Sequence, residues 1–142
     1  MTGRSDRLYV IGMMGAGKST IGGRLSIVTG WPYVDNDALV QAATGRTAPE
    51  IVAEAGPDAL HAAELAAFEH GASLPTPVIV GVAGFVVMDE VARARMRETG
   101  TVIWLRASPE TLHERVGSGA GRRPAATSLT WMREMVEQRA AV

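Results

Sequence analysis

Cysteine is absent from the 142 residues, which excludes disulfides, thiolate zinc sites and cysteine nucleophiles and gives no sign of the redox compartment. No stretch reaches the roughly 18 consecutive apolar residues of a membrane span. The polar start Met1-Thr-Gly-Arg-Ser-Asp-Arg7 lacks the apolar segment of a signal peptide, so the expected location is cytoplasmic, with no membrane partner. A large charge of one sign is missing too: the formal net charge is -1, so no global basic field draws the chain to nucleic acid. Neither an internal repeat nor a low-complexity tract occurs. What remains, 46% hydrophobic and 20% charged residues, is the composition of a single globular domain over residues 1–142.

One stretch organises the rest. Gly12-Met-Met-Gly-Ala-Gly-Lys-Ser-Thr20 fits Gly-x-x-x-x-Gly-Lys-Ser/Thr and follows directly on the apolar run Leu8–Ile11. A strand that ends in such a loop and enters a helix gathers backbone N–H groups around one point, where they can hold a nucleotide phosphate. Gly12, Gly15 and Gly17 allow close backbone approach, with Ala16 between the last two. Lys18 can reach the β- and γ-phosphates of ATP, and the Ser19 hydroxyl can take one place on Mg2+, with Thr20 completing the nucleotide-binding set.

Strand and helix then alternate, which predicts an α/β fold: a three-layer P-loop NTPase fold with a parallel central sheet, a helical acceptor-binding lobe and a lid. A helix is predicted from Ser19 to Thr29, with Ile21, Leu25 and Val28 on one face and Gly30 closing it. Trp31–Val34 is extended and delivers Asp35-Asn-Asp37 at the carboxyl end of the sheet, where ligands of open α/β sheets bind. Two carboxylates there suit Mg2+ and an acceptor hydroxyl, or they are helix N-caps. Residues 36–72 read as two or three short helices, the acceptor lobe, divided at Gly45–Pro49 and at Gly56-Pro57.

Pro77–Val87 is the longest apolar run and is expected as the central buried strand, with Gly81 and Gly84 marking either a close ligand approach or packing against a helix. The alternating Arg93, Arg95 and Arg97 are expected on a solvated helix face. Thr101–Leu105 is expected as another buried strand, and Ser108-Pro109 opens a further helix. Arg115–Pro124 is glycine-rich with three arginines, as a lid over phosphates or a solvated linker would be; the lid is set at about 115–126. A last helix over Leu129–Val142 turns Leu129, Met132 and Val136 inward and carries Arg139 near its end.

Taken together, the phosphate loop at 12–20, Tyr33-Val-Asp-Asn-Asp37, Thr44–Ile51, Ala55–Glu64, Val102–Leu112 and Arg123-Pro124 resemble the shikimate kinases over nearly the whole chain. The resemblance implies a five-stranded parallel sheet and transfer of the ATP γ-phosphoryl to a hydroxyl of shikimate. By position, Asp37 would bind the acceptor hydroxyl or take its proton, Asp35 would hold Mg2+ through water with Ser19, and Lys18 and the lid residue Arg123 would act on the transferring group. His61, Gly84 and Arg139 would line the acceptor site.

The departures fall on that acceptor site. Leu60-His61 stands where the family carries phenylalanine-arginine, and an imidazole cannot make the two-pronged bond of a guanidinium to a carboxylate. Val82-Ala83-Gly84 replaces a triple glycine, Ala125-Ala126 follows Arg123-Pro124 where two leucines are common, and Arg139 lies nearer the Arg-Pro pair than is usual. The sequence ends at Val142, before the family's last strand and helix. Three readings follow: a shikimate kinase, a related kinase with a different polyol or nucleoside acceptor, and a catalytically inactive nucleotide-binding relative. The partner is a small-molecule hydroxyl acceptor, and the chain is expected as a monomer or a homodimer.

Overall fold

The computed structural model describes residues 6–12, 16–117 and 129–141, the side chains of 115–117 and 131–132 excepted. The elements are β1 (Arg7–Ile11), α1 (Lys18–Thr29), β2 (Tyr33–Asp35), α2 (Asn36–Thr44), α3 (Ala48–Ala55), α4 (Pro57–Ala72), β3 (Val78–Gly81), a 3-10 helix (Gly84–Met88), α5 (Glu90–Thr99), β4 (Thr101–Trp104), α6 (Pro109–Gly117) and α7 (Leu129–Ala140). Among the described residues the sheet has four strands in the order β2-β3-β1-β4, where the resemblance implied five. All neighbours are parallel, as helical crossovers require, and the pairs Val10↔Gly81 and Asp35↔Gly81 bring the carboxyl ends of β1, β2 and β3 to one level.

Helices cover both faces, giving the expected three layers. On one face α1 crosses Tyr33; on the other α4 lies against Val80, and Tyr9 meets Phe68 with ring centroids 5.8 Å apart. The main core gathers Tyr9, Phe68, Val78, Val80, Val82, Val86 and Met96 on that second face. A smaller core of Val40, Ile51, Leu60 and Ala67 holds α2, α3 and α4 together as a lobe. The helix punctuation follows the sequence: Gly30 ends α1 at φ 74°, Thr47 and Glu50 form a reciprocal capping box on α3, and the Ser108 hydroxyl accepts from Thr111 N–H.

Four expectations are corrected. The Pro77–Val87 run is central as expected, but its strand stops at Gly81. Val82 N–H makes one more bond, to Val10 O at 3.0 Å, and the chain then folds into the 3-10 helix, whose Val86 and Val87 are buried as helical rather than sheet residues. Thr101–Leu105 forms an edge strand, not a buried one; Val102 is 37% and Trp104 46% exposed. Val28, expected inside, is 83% exposed, and the residue α1 buries is Gly22. Arg93 and Arg95 do not simply face solvent: Arg93 Nη1 donates to Val87 O at 2.8 Å, and Arg95 Nε pairs with Glu69 at 3.4 Å.

Gly22 is buried because α1 passes directly over the Tyr33 ring. A Cβ there would stand 2.6 Å from Tyr33 Cδ1, whereas one on the neighbouring Gly23 would meet nothing within 4 Å. Gly22→Ala is therefore expected to lower stability in urea by about 1–3 kcal/mol. Gly23→Ala should raise it by about 0.5–1 kcal/mol, since a helix interior prefers alanine. Equal effects of the two would remove Tyr33 as the reason for the glycine.

Candidate active site

The site forms where β1, β2 and β3 end. Gly12 follows β1 with φ 154°, and a Cβ on it would lie 2.8 Å from Leu105 O, so only glycine lets the chain turn there. Ala16 packs on that turn, its Cβ 3.2 Å from where a Gly12 Cβ would be. Gly17, at φ 98°, begins α1 with no side chain to cap it and no acidic residue in the first turn. Among the described residues no side chain caps the opening N–H groups of α1, and the helix dipole stands behind them, an arrangement that favours an anion. Lys18 Nζ donates to Gly12 O at 2.7 Å, which turns the ammonium back toward the end of β1. Ser19 and Thr20 are exposed on the first turn. Gly15 and Arg123 lie outside the described residues, as does the lid from residue 118 onwards.

Asp35 joins the loop to the lobe. Its Oδ1 accepts from Asp37 N–H at 2.8 Å, capping α2, while its Oδ2 accepts from Ser19 Oγ at 3.1 Å and from Tyr33 OH at 3.2 Å. The two alternatives for Asp35, cap and site residue, are thus compatible, because the two oxygens point to different partners. Asp37 stands exposed in the first turn of α2.

Tyr33 was not singled out from the sequence; a tyrosine in a short strand reads as packing. Its hydroxyl lies against Gly81, where any side chain would collide with it. Burial first, then the neighbouring Asp35 carboxylate, push its pKa up to about 12. Burial likewise raises Tyr9, the other tyrosine of the chain. The unfolded chain ionises its tyrosines near pH 10. Stability contributed by neutral Tyr33 is therefore complete below pH 10 and is lost as pH rises toward about 12. Phenolate absorbance is expected to appear above pH 10 and together with unfolding; a normal titration of the folded protein would contradict this.

The residues expected by position at the acceptor site lie on three elements, α4, the 3-10 helix and α7. A Cβ on Gly84 would stand 2.6 Å from Arg139 Nη1 and 3.5 Å from Gly12 O, so Gly84 marks a close approach, of α7 to the loop. His61 on α4 stacks on Phe85, ring centroids 3.4 Å apart and planes 4° from parallel. Phe85, also missed from sequence because it hid inside an apparent strand, reaches His61 only through the 3-10 turn. Glu64, one residue short of a turn beyond His61, is buried at 3% exposure. Asn36, between the two aspartates, is 2% exposed, with neither side-chain amide atom hydrogen-bonded among the described residues.

Among the described residues no group of three or more His, Cys, Asp or Glu could hold a metal. The Ser19–Asp35 pair is what Mg2+ needs when phosphate oxygens and water supply its other ligands. The set fits a magnesium nucleotide better than a metal held by protein alone.

A family model described as SKI: Shikimate kinase matches residues 14–142. A shikimate kinase of Symbiobacterium thermophilum is 40% identical over 118 residues, covering 82% of this chain and 67% of the relative. One of Thiobacillus denitrificans is 33% identical, covering 96% and 75%. Among solved structures, shikimate kinase from Acinetobacter baumannii in complex with shikimate superposes with a TM-score of 0.87 at 23% identity, over 95% of this chain and 76% of that one.

Proposed function

The chain belongs to the shikimate kinase family, and from that membership we propose that it transfers the γ-phosphoryl group of ATP to a hydroxyl of shikimate. The observation that carries the reading is the Ser19–Asp35 bond at 3.1 Å. It ties the first turn of the phosphate-binding helix to the strand end that presents Asp37. That link supports a reading in which donor and acceptor sites share the carboxyl edge of the sheet.

In this reading Gly12, Gly15, Ala16, Gly17 and Thr20 cradle the phosphates through the loop and the α1 N-terminus. Lys18 exchanges its bond to Gly12 O for the β- and γ-phosphates as they arrive. Ser19 and Asp35 hold Mg2+, which supplies charge neutralisation at the phosphates. Asp37 orients the acceptor hydroxyl and receives its proton, and Arg123 approaches from the lid of residues 115–126. Residues 36–72 form the acceptor lobe of the single domain. Arg139 takes the shikimate carboxylate beside Gly84. The protein works in the cytoplasm, as a monomer or a homodimer. Among the described residues no helix is long and apolar enough to cross a membrane.

The His61–Phe85 stack favours a second reading, in which the acceptor lacks a carboxylate at this end of the lobe. An imidazole lying flat on a phenyl ring offers edge hydrogen bonds but no two-pronged cation. Shikimate-dependent release of ADP from Mg-ATP, measured beside a panel of other polyols and nucleosides, tests the first reading against the second. With His61→Arg, kcat/KM for shikimate is expected to rise at least about tenfold. An unchanged value would mean that the acceptor pocket does not keep the family's geometry around His61.

A further inference from the structure

Tyr33 and Asp35 are two residues apart in β2, so their side chains leave the sheet on the same side, the side that α1 covers. Backbone, not side chains, closes on the Tyr33 ring there. A Cβ on Gly22 of α1 would stand 2.6 Å from Tyr33 Cζ, and one on Gly81 of β3 would stand 3.0 Å from the same atom. A ring clamped between two glycines keeps its hydroxyl in one place, and from that place it donates to Asp35 Oδ2 at 3.2 Å.

The three donors to Asp35 are not equivalent. Oδ1 accepts from Asp37 N–H at 2.8 Å, which fixes one oxygen through the backbone of α2. Oδ2 accepts from Ser19 Oγ at 3.1 Å and from Tyr33 OH. Ser19 is exposed, and its oxygen is itself needed by Mg2+ in the reading above, so it cannot also fix the carboxylate that works beside it. Without Tyr33 the second oxygen would be set only by that hydroxyl and water, and a carboxylate turns easily about its last bond.

We propose that Tyr33 is a positioning residue for the metal. Its hydroxyl, pinned by Gly22 and Gly81, holds the Asp35 carboxylate in the orientation that serves Mg2+ together with Ser19. The inference rests on the assignment of Ser19 and Asp35 to Mg2+, and it accounts for a hydroxyl that packing alone does not require, since a phenylalanine would fill the same seat.

Tyr33→Phe keeps the ring and removes only the donor. Tyr9→Phe is the control, because it deletes the hydroxyl of the other tyrosine, which meets Thr99 Oγ1 at 2.6 Å on the opposite face of the sheet. Binding of a non-hydrolysable ATP analogue to the full chain is followed by calorimetry as Mg2+ is varied, with no acceptor and hence no turnover. In Tyr33→Phe the Mg2+ concentration that gives half of the gain in affinity is expected to rise about tenfold. Affinity without Mg2+, and kcat at saturating Mg2+, should stay within about twofold of the parent. Tyr9→Phe should lower the urea midpoint and leave the Mg2+ dependence unchanged. A Tyr33→Phe protein with a lowered urea midpoint but the parent's Mg2+ dependence would overturn the proposal and make the hydroxyl structural; so would an equal shift in both variants. If the parent binds the analogue with Mg2+ dependence and only the Tyr33 effect is missing, the kinase reading stands; if the parent shows no such dependence, the metal assignment falls and this inference with it.

Discussion

Lys18→Ala is expected to lower kcat for phosphoryl transfer by at least about a thousandfold while the protein stays folded. The ammonium is held at the start of the phosphate loop, donating to a backbone carbonyl, Gly12 O, at 2.7 Å. Losing that bond in the resting protein costs only about 1 kcal/mol, because a part-buried carbonyl can turn to water. In the transition state the same position faces developing charge on the phosphoryl oxygens, where no water molecule replaces a fixed cation. Circular dichroism and urea unfolding establish the fold, and single-turnover kinetics with Mg-ATP give the rate. Turnover within about tenfold of the parent would remove the loop from the mechanism.

The second large effect concerns Asp35, and it separates the residue's two tasks. Asp35→Ala removes the cap on Asp37 N–H and the acceptor for Ser19 and Tyr33 together. Stability is expected to fall by about 0.5–2 kcal/mol. Asp35→Ser keeps a capping oxygen at the same position, so stability should return to near the parent value. Activity should not return: without the carboxylate, rates at fixed Mg-ATP are expected to stay at least about a hundredfold down, with a raised requirement for magnesium. Recovery of both stability and turnover in the serine variant would make Asp35 a cap and nothing more.

Much of this site was legible because its chemistry is local in sequence. The glycine spacing of the loop, the lysine and hydroxyl that follow it, and an aspartate pair at a strand end are read within a few residues of one another. Caps are local too, which is why Gly30 and Ser108 were placed correctly.

What the sequence hid depends on partners far along the chain. The apolar run after Pro77 could not show where β3 leaves the sheet: its last registered pair is Val10↔Gly81, although β1 runs on to Ile11 beside Trp104. Phe85 meets His61 only after that departure. Hydrophobicity placed Val102 and Trp104 inside, but an edge position in the strand order exposes them. The tight seat of Tyr33 between Gly22 and Gly81 joins three elements, and no single stretch announces it.

The most direct test of the account is product identification: Mg-ATP and shikimate are incubated with the protein and followed by 31P nuclear magnetic resonance, with ADP quantified alongside. The account predicts a new phosphate monoester resonance on shikimate, growing in equal amount with ADP and absent with Lys18→Ala. ADP formed without that ester, or no turnover although the nucleotide binds, would contradict it.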